Sequence, residues 1–339
     1  MTKGFKGIAL AGNMIVDVVK NIDCYPSVGM LSHIKSVSYS VGGCVPNTAI
    51  DLAKIDSSLP VSVIGRVGDD DYGRYIRDTL AKFSINTEGV KVSGNAPTSF
   101  SDVMNMPSGE RTFFHCPGAN AVFAPEDVDI SALNCSMLHA GYVLLLEQFD
   151  REDPEYGTAM ARFLCNVQQR GIKTSVDVVS SSSADYGRVI RPVLRYCDYI
   201  IFNEIECCGM WGISPYEEGK LNAPAIKRAM ELTMAEGVRE KVIVHCKQAG
   251  FCLDKSGEFT VVSSLRVPAE CIKGSVGAGD AFCAGCLYGI YNGFSDEKLL
   301  GFASAAAACN LFSENSVDGM RDCGGILQME KQYPRRQLD

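Results

Sequence analysis

The stretch Gly277-Ala278-Gly279-Asp280-Ala281-Phe282 stands immediately before residues 283–291, a run of small and apolar residues that predicts a helix. Glycines directly before a helix let backbone N–H groups converge on an anion, and the helix dipole adds to the attraction. Asp280 in the first turn could take a proton from an attacking hydroxyl while those groups hold a phosphoryl group. Taken alone, the pattern fits an ordinary helix N-terminus with an aspartate cap better than a phosphate site.

Before this helix, short β-rich runs alternate with helical stretches along the chain. The β-rich runs lie at 7–12, 61–66, 137–141, 173–177, 199–202 and 241–245. Helical stretches, with apolar positions at helical spacing, lie at 47–55, 73–83, 156–170 and 225–236. The alternation predicts βαβ units, hence a mostly parallel sheet with helices on both faces. The serine run 180–183 is too short to be a linker, so residues 1–339 are expected to form a single domain.

Two segments break the alternation. Polar-rich strands lie in residues 31–41 and 98–115. The second of these segments holds two strands around the turn signal Pro107-Ser108-Gly109-Glu110. We expect a small β-sheet, formed by segments at about 18–41 and 96–117, that projects from the main body as a lid. A surface hairpin without function is the alternative.

Composition excludes several function classes. The net charge of -8 and the pI near 5.2 argue against a nucleic-acid partner, because such proteins usually carry a basic face. No apolar run approaches the roughly 20 residues that a membrane span needs. Lys3 and Lys6 interrupt the N-terminal apolar residues, so we expect no secretory signal, a cytoplasmic location and free thiols for the 15 cysteines. The pairs Cys207-Cys208 and Cys283-x-x-Cys286 lack a second Cys/His pair and are better explained by packing.

A second group of residues suggests a site for hydroxyl groups. Gly42-Gly43 and Pro46 precede a helical stretch, and two glycines there would let a ligand approach the backbone. Asn47 can both donate to and accept from a hydroxyl. Asp17 interrupts an apolar run, where an unpartnered carboxylate would be costly. These side chains are therefore candidate ligands of a polyhydroxyl molecule.

Five motifs follow one another along nearly the whole chain. They are Gly42-Gly43 with Asn47, Gly65-Arg66-Val67-Gly68-Asp69, Gly109-Glu110-Arg111, Asn203 with Glu206, and Gly277-Ala278-Gly279-Asp280. In order and spacing they resemble the ribokinase-like (PfkB) carbohydrate kinase family. The resemblance implies a three-layer αβα sandwich with a mostly parallel central sheet and a small β-sheet lid over the sugar.

The resemblance also implies roles for individual residues. Asp17, Gly42, Gly43 and Asn47 would hold the substrate hydroxyls. Asp280 would be the catalytic base, with Gly277, Ala278 and Gly279 forming the anion hole. Asn203 and Glu206 would organise Mg²⁺ and its waters beside ATP, and their alternative reading is a helix start with surface acids. Lys247 and Ser275 would border the nucleotide, although Lys247 fits a solvated surface lysine equally well.

Three departures from the family pattern affect these expectations. Gly274-Ser275-Val276 stands where the family usually has Asp-Thr-Thr, so a carboxylate of the monovalent-cation loop is missing and activation by such a cation is doubtful. His245-Cys246-Lys247 replaces a common Thr-Leu-Gly beside the nucleotide. Residues 178–183 replace a frequent Asn and Arg, so we expect this loop to line the site differently.

The expected activity is ATP-dependent phosphorylation of a hydroxymethyl group on a sugar or sugar-like alcohol, with ATP and Mg²⁺ as cofactors. A nucleoside kinase on the same fold is the alternative, because ribose offers the same primary hydroxyl. A dinucleotide-dependent oxidoreductase is disfavoured, since residues 12–17 lack the Gly-x-Gly-x-x-Gly fingerprint after the first strand. The expected partners are the small-molecule substrate and a second copy of the chain, in a homodimer through the lid.

Overall fold

In the computed structural model, which describes residues 6–108, 110–179 and 185–338, a central sheet is covered by helices on both faces. The strands in chain order are β1 (Ile8–Gly12), β2 (Ile15–Ile22), β3 (Ile34–Gly42), β4 (Val61–Gly68), β5 (Asn86–Ser93), β6 (Phe100–Asn105), β7 (Arg111–Cys116), β8 (Met137–Val143), β9 (Glu152–Asp153), β10 (Gly157–Thr158), β11 (Lys173–Val178), β12 (Tyr199–Asn203), β13 (Tyr216–Glu217), β14 (Lys220–Leu221), β15 (Lys241–His245), β16 (Ala249–Asp254) and β17 (Phe259–Ser263).

The helices are α1 (Cys44–Ile55), α2 (Asp71–Lys82), α3 (Gly118–Val122), α4 (Glu147–Asp150), α5 (Ala159–Gln169), α6 (Tyr186–Val189), α7 (Arg191–Leu194), α8 (Glu204–Gly209), α9 (Ala223–Ala235), α10 (Ala278–Tyr291), α11 (Asp296–Asn310) and α12 (Cys323–Gln332). Single 3₁₀ turns lie at Pro125–Asp127, Ile130–Ala132 and Ala269–Cys271.

The nine strands of the central sheet follow the order β17-β16-β15-β12-β11-β8-β1-β4-β5 within the described residues. All neighbours from β15 to β5 pair in parallel, and β16 and β17 are antiparallel additions at one edge. Every residue of β1 is buried, since strands covered by helices on both faces have no solvent side. The predicted mostly parallel sheet is confirmed.

Among the residues that the structure describes, two apolar cores lie on opposite faces of the sheet. One packs α1, α2, α10, α11 and α12 against it through side chains such as Ile50, Leu287 and Phe302. The other packs α5, α8 and α9 through side chains such as Phe163 and Met230. This arrangement is the expected three-layer αβα sandwich. No helix among the described residues is long and apolar enough to cross a lipid bilayer.

A separate four-stranded sheet has the order β3-β2-β6-β7. Strand β2 runs antiparallel to β3 and parallel to β6, and β6 pairs antiparallel with β7. Strand β3 is largely exposed, whereas Val16 and Val18 of β2 are buried. The small sheet therefore occupies the segments where the sequence predicted it; its function as a lid stays a prediction.

The order of strands creates a switch point between β8 and β1. The chain leaves β1 towards β4 and β5 on one side, then returns to β8 on the other. Loops that follow neighbouring strands diverge at such a point, which leaves a crevice at the carboxyl ends of the strands. The candidate functional residues surround this crevice.

Candidate active site

Asp280 lies buried in the first turn of α10, between two hydrogen-bond donors. Asn47 Nδ2 donates to Asp280 Oδ2 at 2.8 Å, and the Tyr142 hydroxyl donates to Oδ1 at 3.1 Å. Burial raises the pKa of Asp280 to about 6, and the neighbouring Asp177 adds to the rise, whereas the two donors oppose it. A carboxyl with this pKa is ionised at neutral pH and still basic enough to take up a proton.

The N-terminus of α10 begins at a glycine that the backbone requires. Gly277 has φ 79, and a Cβ atom there would lie 2.6 Å from Ser316 Cβ and from the Ser316 carbonyl oxygen. In the described chain, the N–H groups of Gly279 and Asp280 have no hydrogen-bond acceptor, whereas Ala278 N–H donates to the Ser275 carbonyl. The first turn of α10 therefore presents free N–H groups beside Asp280, as an anion hole needs.

Asp17 and Arg111 border a cavity of about 1000 Å³ between the small sheet and residues 273–276 and 313–318. We call this space the acceptor cavity. Asp17 lies in β2, and its Oδ2 approaches Gly42 so closely that a Cβ atom there would be 2.3 Å away. Burial raises the pKa of Asp17 to about 6, against the opposing effect of Arg111. Gly42 thus leaves room for the carboxylate at the wall of the cavity.

The glycine and asparagine of the same motif connect the acceptor side to Asp280. Gly43 has φ 85, and a Cβ atom there would lie 2.5 Å from Asn13 Oδ1. This tight turn sets the start of α1, which brings Asn47 to Asp280. Asn47 Oδ1 is buried and receives no hydrogen bond from the described residues, so it could accept one from a bound hydroxyl. Asn47 therefore links the predicted base to the predicted substrate site.

Tyr142 was not identified from the sequence, although it contacts the predicted base. It adopts φ 58, an uncommon value for an aromatic residue, and its N–H donates to Asp177 Oδ1 at 2.6 Å. The turn after β8 aims the hydroxyl at Asp280 Oδ1. A left-handed residue held in place by tertiary contacts is typical of functional sites, but no sequence motif accompanies it here.

Asn203 and Glu206 lie beside Asp280 on the wall of a cavity of about 260 Å³, which we call the central cavity. They form a capping box: Glu206 N–H donates to Asn203 Oδ1, and Asn203 N–H and Nδ2 donate to the Glu206 carboxylate, all at 2.8 Å. The alternative reading as a helix start is thus confirmed, but Glu206 is only 5% exposed and is not a surface acid. The pair stays a predicted Mg²⁺ site.

A second space of about 580 Å³, which we call the nucleotide groove, adjoins the central cavity. Asn203, His245 and Gly279 line both spaces. Lys247 and Ser275 line the groove together with apolar side chains such as Leu265. Burial lowers the pKa of His245 to about 4, so this histidine is neutral at physiological pH. A mostly apolar groove with a few polar groups and a lysine is suited to a nucleotide.

The loop before α10 is held by neutral contacts. Asn310 Nδ2 donates to the Val276 carbonyl at 2.7 Å, and Gly277 packs against Ser316. At Gly274, a Cβ atom would lie 2.9 Å from the Ser313 carbonyl oxygen. Packing and an amide therefore occupy the region where the family usually has a carboxylate.

Two other expectations have mixed outcomes. In the segment 178–183, which departs from the family pattern, Val178 and Val179 line the central cavity. Residues 180–184 lie outside the described residues, as does Gly109 in the predicted lid turn. All 15 cysteines fall within the described ranges and are free thiols, as expected.

Comparison with known proteins gives consistent matches. Residues 7–323 match the pfkB family carbohydrate kinases. The ribokinase of Arabidopsis thaliana is 26% identical over 326 residues, which cover 96% of this chain and 81% of that protein. A protein of the same plant named probable fructokinase-7 is 25% identical over 337 residues, which cover 94% of this chain and 90% of that protein.

A solved structure shows the same arrangement of helices and strands. The structure of Arabidopsis thaliana ribokinase complexed with ribose and ATP matches with a TM-score of 0.80 and 22% sequence identity. The match covers 96% of this chain and 99% of that chain. The expected fold class is therefore confirmed, with the small sheet in addition to the sandwich.

Proposed function

The chain belongs to the pfkB family of carbohydrate kinases, and on that premise we propose that it transfers the γ-phosphoryl group of ATP to a hydroxymethyl group, with Asp280 as the base. It is a phosphotransferase with an alcohol group as acceptor, like the ribokinase and fructokinase that it resembles. The observation that carries the proposed mechanism is the position of Asp280: buried at the N-terminus of α10, held by Asn47 and Tyr142, with free N–H groups beside it.

The proposed chemical step is an in-line attack by the acceptor oxygen. Asp280, with a pKa of about 6, takes the hydroxyl proton as the oxygen attacks the phosphorus. The N–H groups of Gly279 and Asp280 stabilise negative charge on the phosphoryl oxygens, and the positive end of the α10 dipole favours the same charge. Gly277 and Ala278 set the geometry of this turn. ADP is the leaving group, so the products are ADP and the phosphorylated alcohol.

The acceptor is proposed to bind between Asp17 and Asp280. Asp17 offers two acceptor oxygens to the hydroxyls of a sugar, and Gly42 keeps that side free of a side chain. Arg111 in β7 lines the same cavity and can donate to the sugar from the small sheet. Asn47 Oδ1 is free to accept from the reacting hydroxyl, and Gly43 positions it. Closure of the small sheet over this cavity would exclude water from the reaction.

ATP is proposed to occupy the nucleotide groove, with Lys247 and Ser275 near its phosphates. The oxygen donors of Asn203 and Glu206 suit a hydrated Mg²⁺ next to these phosphates. Both oxygens of Glu206 already receive hydrogen bonds from Asn203, so Glu206 would contact the ion through water. When bound, Mg²⁺ neutralises charge on the phosphates during transfer.

The polar walls of the acceptor cavity favour a sugar. Asn21, Ser38 and Asn105 add hydrogen-bonding groups to those of Asp17 and Arg111, as a polyhydroxyl ligand needs. One observation favours the alternative, a nucleoside: the aromatic side chains of Tyr39 and Phe113 line the same cavity and could flank a base.

The experiment that separates the two is an ADP-release screen over pentoses, hexoses, ketoses, cyclitols and nucleosides, with Mg²⁺ and ATP present. The sugar proposal expects the highest kcat/KM with a free sugar or polyol. A nucleoside that outperforms every free sugar would overturn the sugar assignment and retain the kinase.

A homodimer through the small sheet is part of the proposal. Tyr39 and Phe113 are 54% and 60% exposed in a single chain, and Phe114 is 56% exposed. A second copy could bury these rings, and light scattering of purified protein at twice the mass of one chain is the expected result. A cytoplasmic location is proposed as well, since 15 free thiols suit a reducing compartment.

A further inference from the structure

Three side chains from separate elements meet at the wall of the central cavity, which two of them line. His139 lies in β8, Asp177 in β11 and Cys283 in α10, and all three are buried. Cys283 Sγ is 3.6 Å from His139 Nε2, and His139 Nε2 is 3.7 Å from Asp177 Oδ2. The three atoms lie within 4.8 Å of one another. We call this group the HDC cluster.

From this geometry we propose that the HDC cluster is an inhibitory site for Zn²⁺ or a similar borderline-soft divalent ion. With bonds of about 2.0–2.3 Å to nitrogen, oxygen and sulfur, tetrahedral Zn²⁺ holds neighbouring donor atoms roughly 3.3–3.6 Å apart. The two shortest separations in the cluster are already close to these values. Only small side-chain movements would thus be needed to close the site around an ion.

Neighbouring groups form hydrogen bonds that orient His139 and Asp177, as is usual for metal ligands. The Ser175 hydroxyl lies 3.0 Å from His139 Nδ1, so it can accept the Nδ1–H and leave the Nε2 lone pair facing the cluster. Tyr142 N–H donates to Asp177 Oδ1, which leaves Oδ2 on the cluster side. Both ligands are therefore fixed by a partner on the atom that would not bind the ion.

The donor set discriminates between Zn²⁺ and the Mg²⁺ of the kinase reaction. Thiolate and imidazole are poor ligands for Mg²⁺, which takes oxygen donors in an octahedron. With Zn²⁺, the Cys283 thiol releases its proton to solvent, and one thiolate and one carboxylate balance the charge of the ion. The buried site is then neutral, which limits the cost of burying the ion.

The position of the cluster explains why occupancy would inhibit. Cys283 follows Asp280 by three residues on α10, and both line the central cavity with Asp177. A fourth ligand would come from that cavity, as a water or as the Asp280 carboxylate. Either way a divalent charge beside Asp280 weakens it as a base. This consequence rests on the proposed role of Asp280, but ion binding does not.

The first test measures binding, with Co²⁺ as a spectroscopic probe for Zn²⁺. The whole chain is stripped of metal and titrated with Co²⁺; wild type should show a thiolate-to-Co²⁺ charge-transfer band that Zn²⁺ abolishes by competition. Cys283→Ala should lose the band, and His139→Gln should weaken it. Cys286→Ala is the matched control, because Cys286 is buried on the same helix outside the cluster and should leave the band unchanged. Melting curves without metal show whether each variant is folded.

The second test measures turnover at buffered free Zn²⁺ with Mg²⁺ and ATP saturating, each variant being compared with its own metal-free rate. Wild type and Cys286→Ala should lose at least about tenfold in rate. Cys283→Ala should lose less than about twofold. A Co²⁺ band that is absent, or that survives in folded Cys283→Ala, would overturn the site. A Cys283-dependent band without inhibition would keep the site and overturn its effect on catalysis.

Discussion

Replacing Tyr142 with phenylalanine should shift the pH dependence of the reaction. The change removes only the hydroxyl that donates to Asp280 Oδ1 at 3.1 Å and keeps the ring. A hydrogen bond to a charged group contributes roughly 1.5–3 kcal/mol, and one pKa unit corresponds to about 1.4 kcal/mol. The pKa of Asp280 is about 6 in wild type. Loss of the donor destabilises the ionised form, so this pKa should rise by roughly one to two units.

The assay is kcat/KM as a function of pH for wild type and Tyr142→Phe. As the proposed base, Asp280 would act in its ionised form. Activity should therefore rise with pH through its pKa, and the acid limb of the variant should lie at higher pH. The variant should be roughly ten- to hundred-fold slower on the acid side and close to wild type well above the limb. Tyr291→Phe is the matched control, since that hydroxyl accepts from Gly7 N–H at the far end of α10. An unshifted limb, or a loss of rate that is equal at all pH values, would refute the reasoning.

Three further predictions follow from the site. Glu206→Ala should raise the Mg²⁺ concentration needed for half-maximal rate, and an unchanged titration would return Glu206 to a purely capping role. Turnover in K⁺, Na⁺ and a bulky organic cation at matched ionic strength should agree within about threefold, or about 0.7 kcal/mol in barrier height. The reason is that Asn310 and packing hold the loop at Gly274. A tenfold rise in turnover in K⁺ alone would contradict this. Gly42→Ala should displace Asp17 and thereby raise the KM for the acceptor by about tenfold or more, with the KM for ATP unchanged. Equal changes in the two KM values would indicate a general disturbance of the fold instead.

Much of the fold could be predicted because most interior strands form short β-rich runs and several helices carry apolar residues at helical spacing. The β-rich runs and the predicted helices correspond to strands and helices with shifts of a few residues at their ends. Helix α11 was not among those predicted, because it is buried on nearly every side and so lacks the polar face that a helical pattern needs. The edge strands β5 and β17 were missed too, as was β16, although β16 is nearly all buried.

The site was predictable where a backbone conformation demands a residue type. Gly277 and Gly43 have positive φ and lack room for a side chain, so glycine there is a physical requirement that the sequence displays. Tyr142 could not be found in this way, since its role depends on an unusual φ that many residues could be forced to adopt. His139 and Cys283 are 144 residues apart in the sequence, and only the tertiary fold brings them together.

The central claim is that Asp280 is the catalytic base, and the turnover of Asp280→Asn tests it most directly. The amide keeps the size of the side chain but cannot take the hydroxyl proton. Proton transfer to a general base typically contributes roughly 10²–10⁴-fold in rate. Single-turnover measurements with saturating Mg²⁺, ATP and the best acceptor from the screen should show a loss in that range, with ATP affinity and melting temperature close to wild type. Near-normal turnover in the folded variant would contradict the assignment.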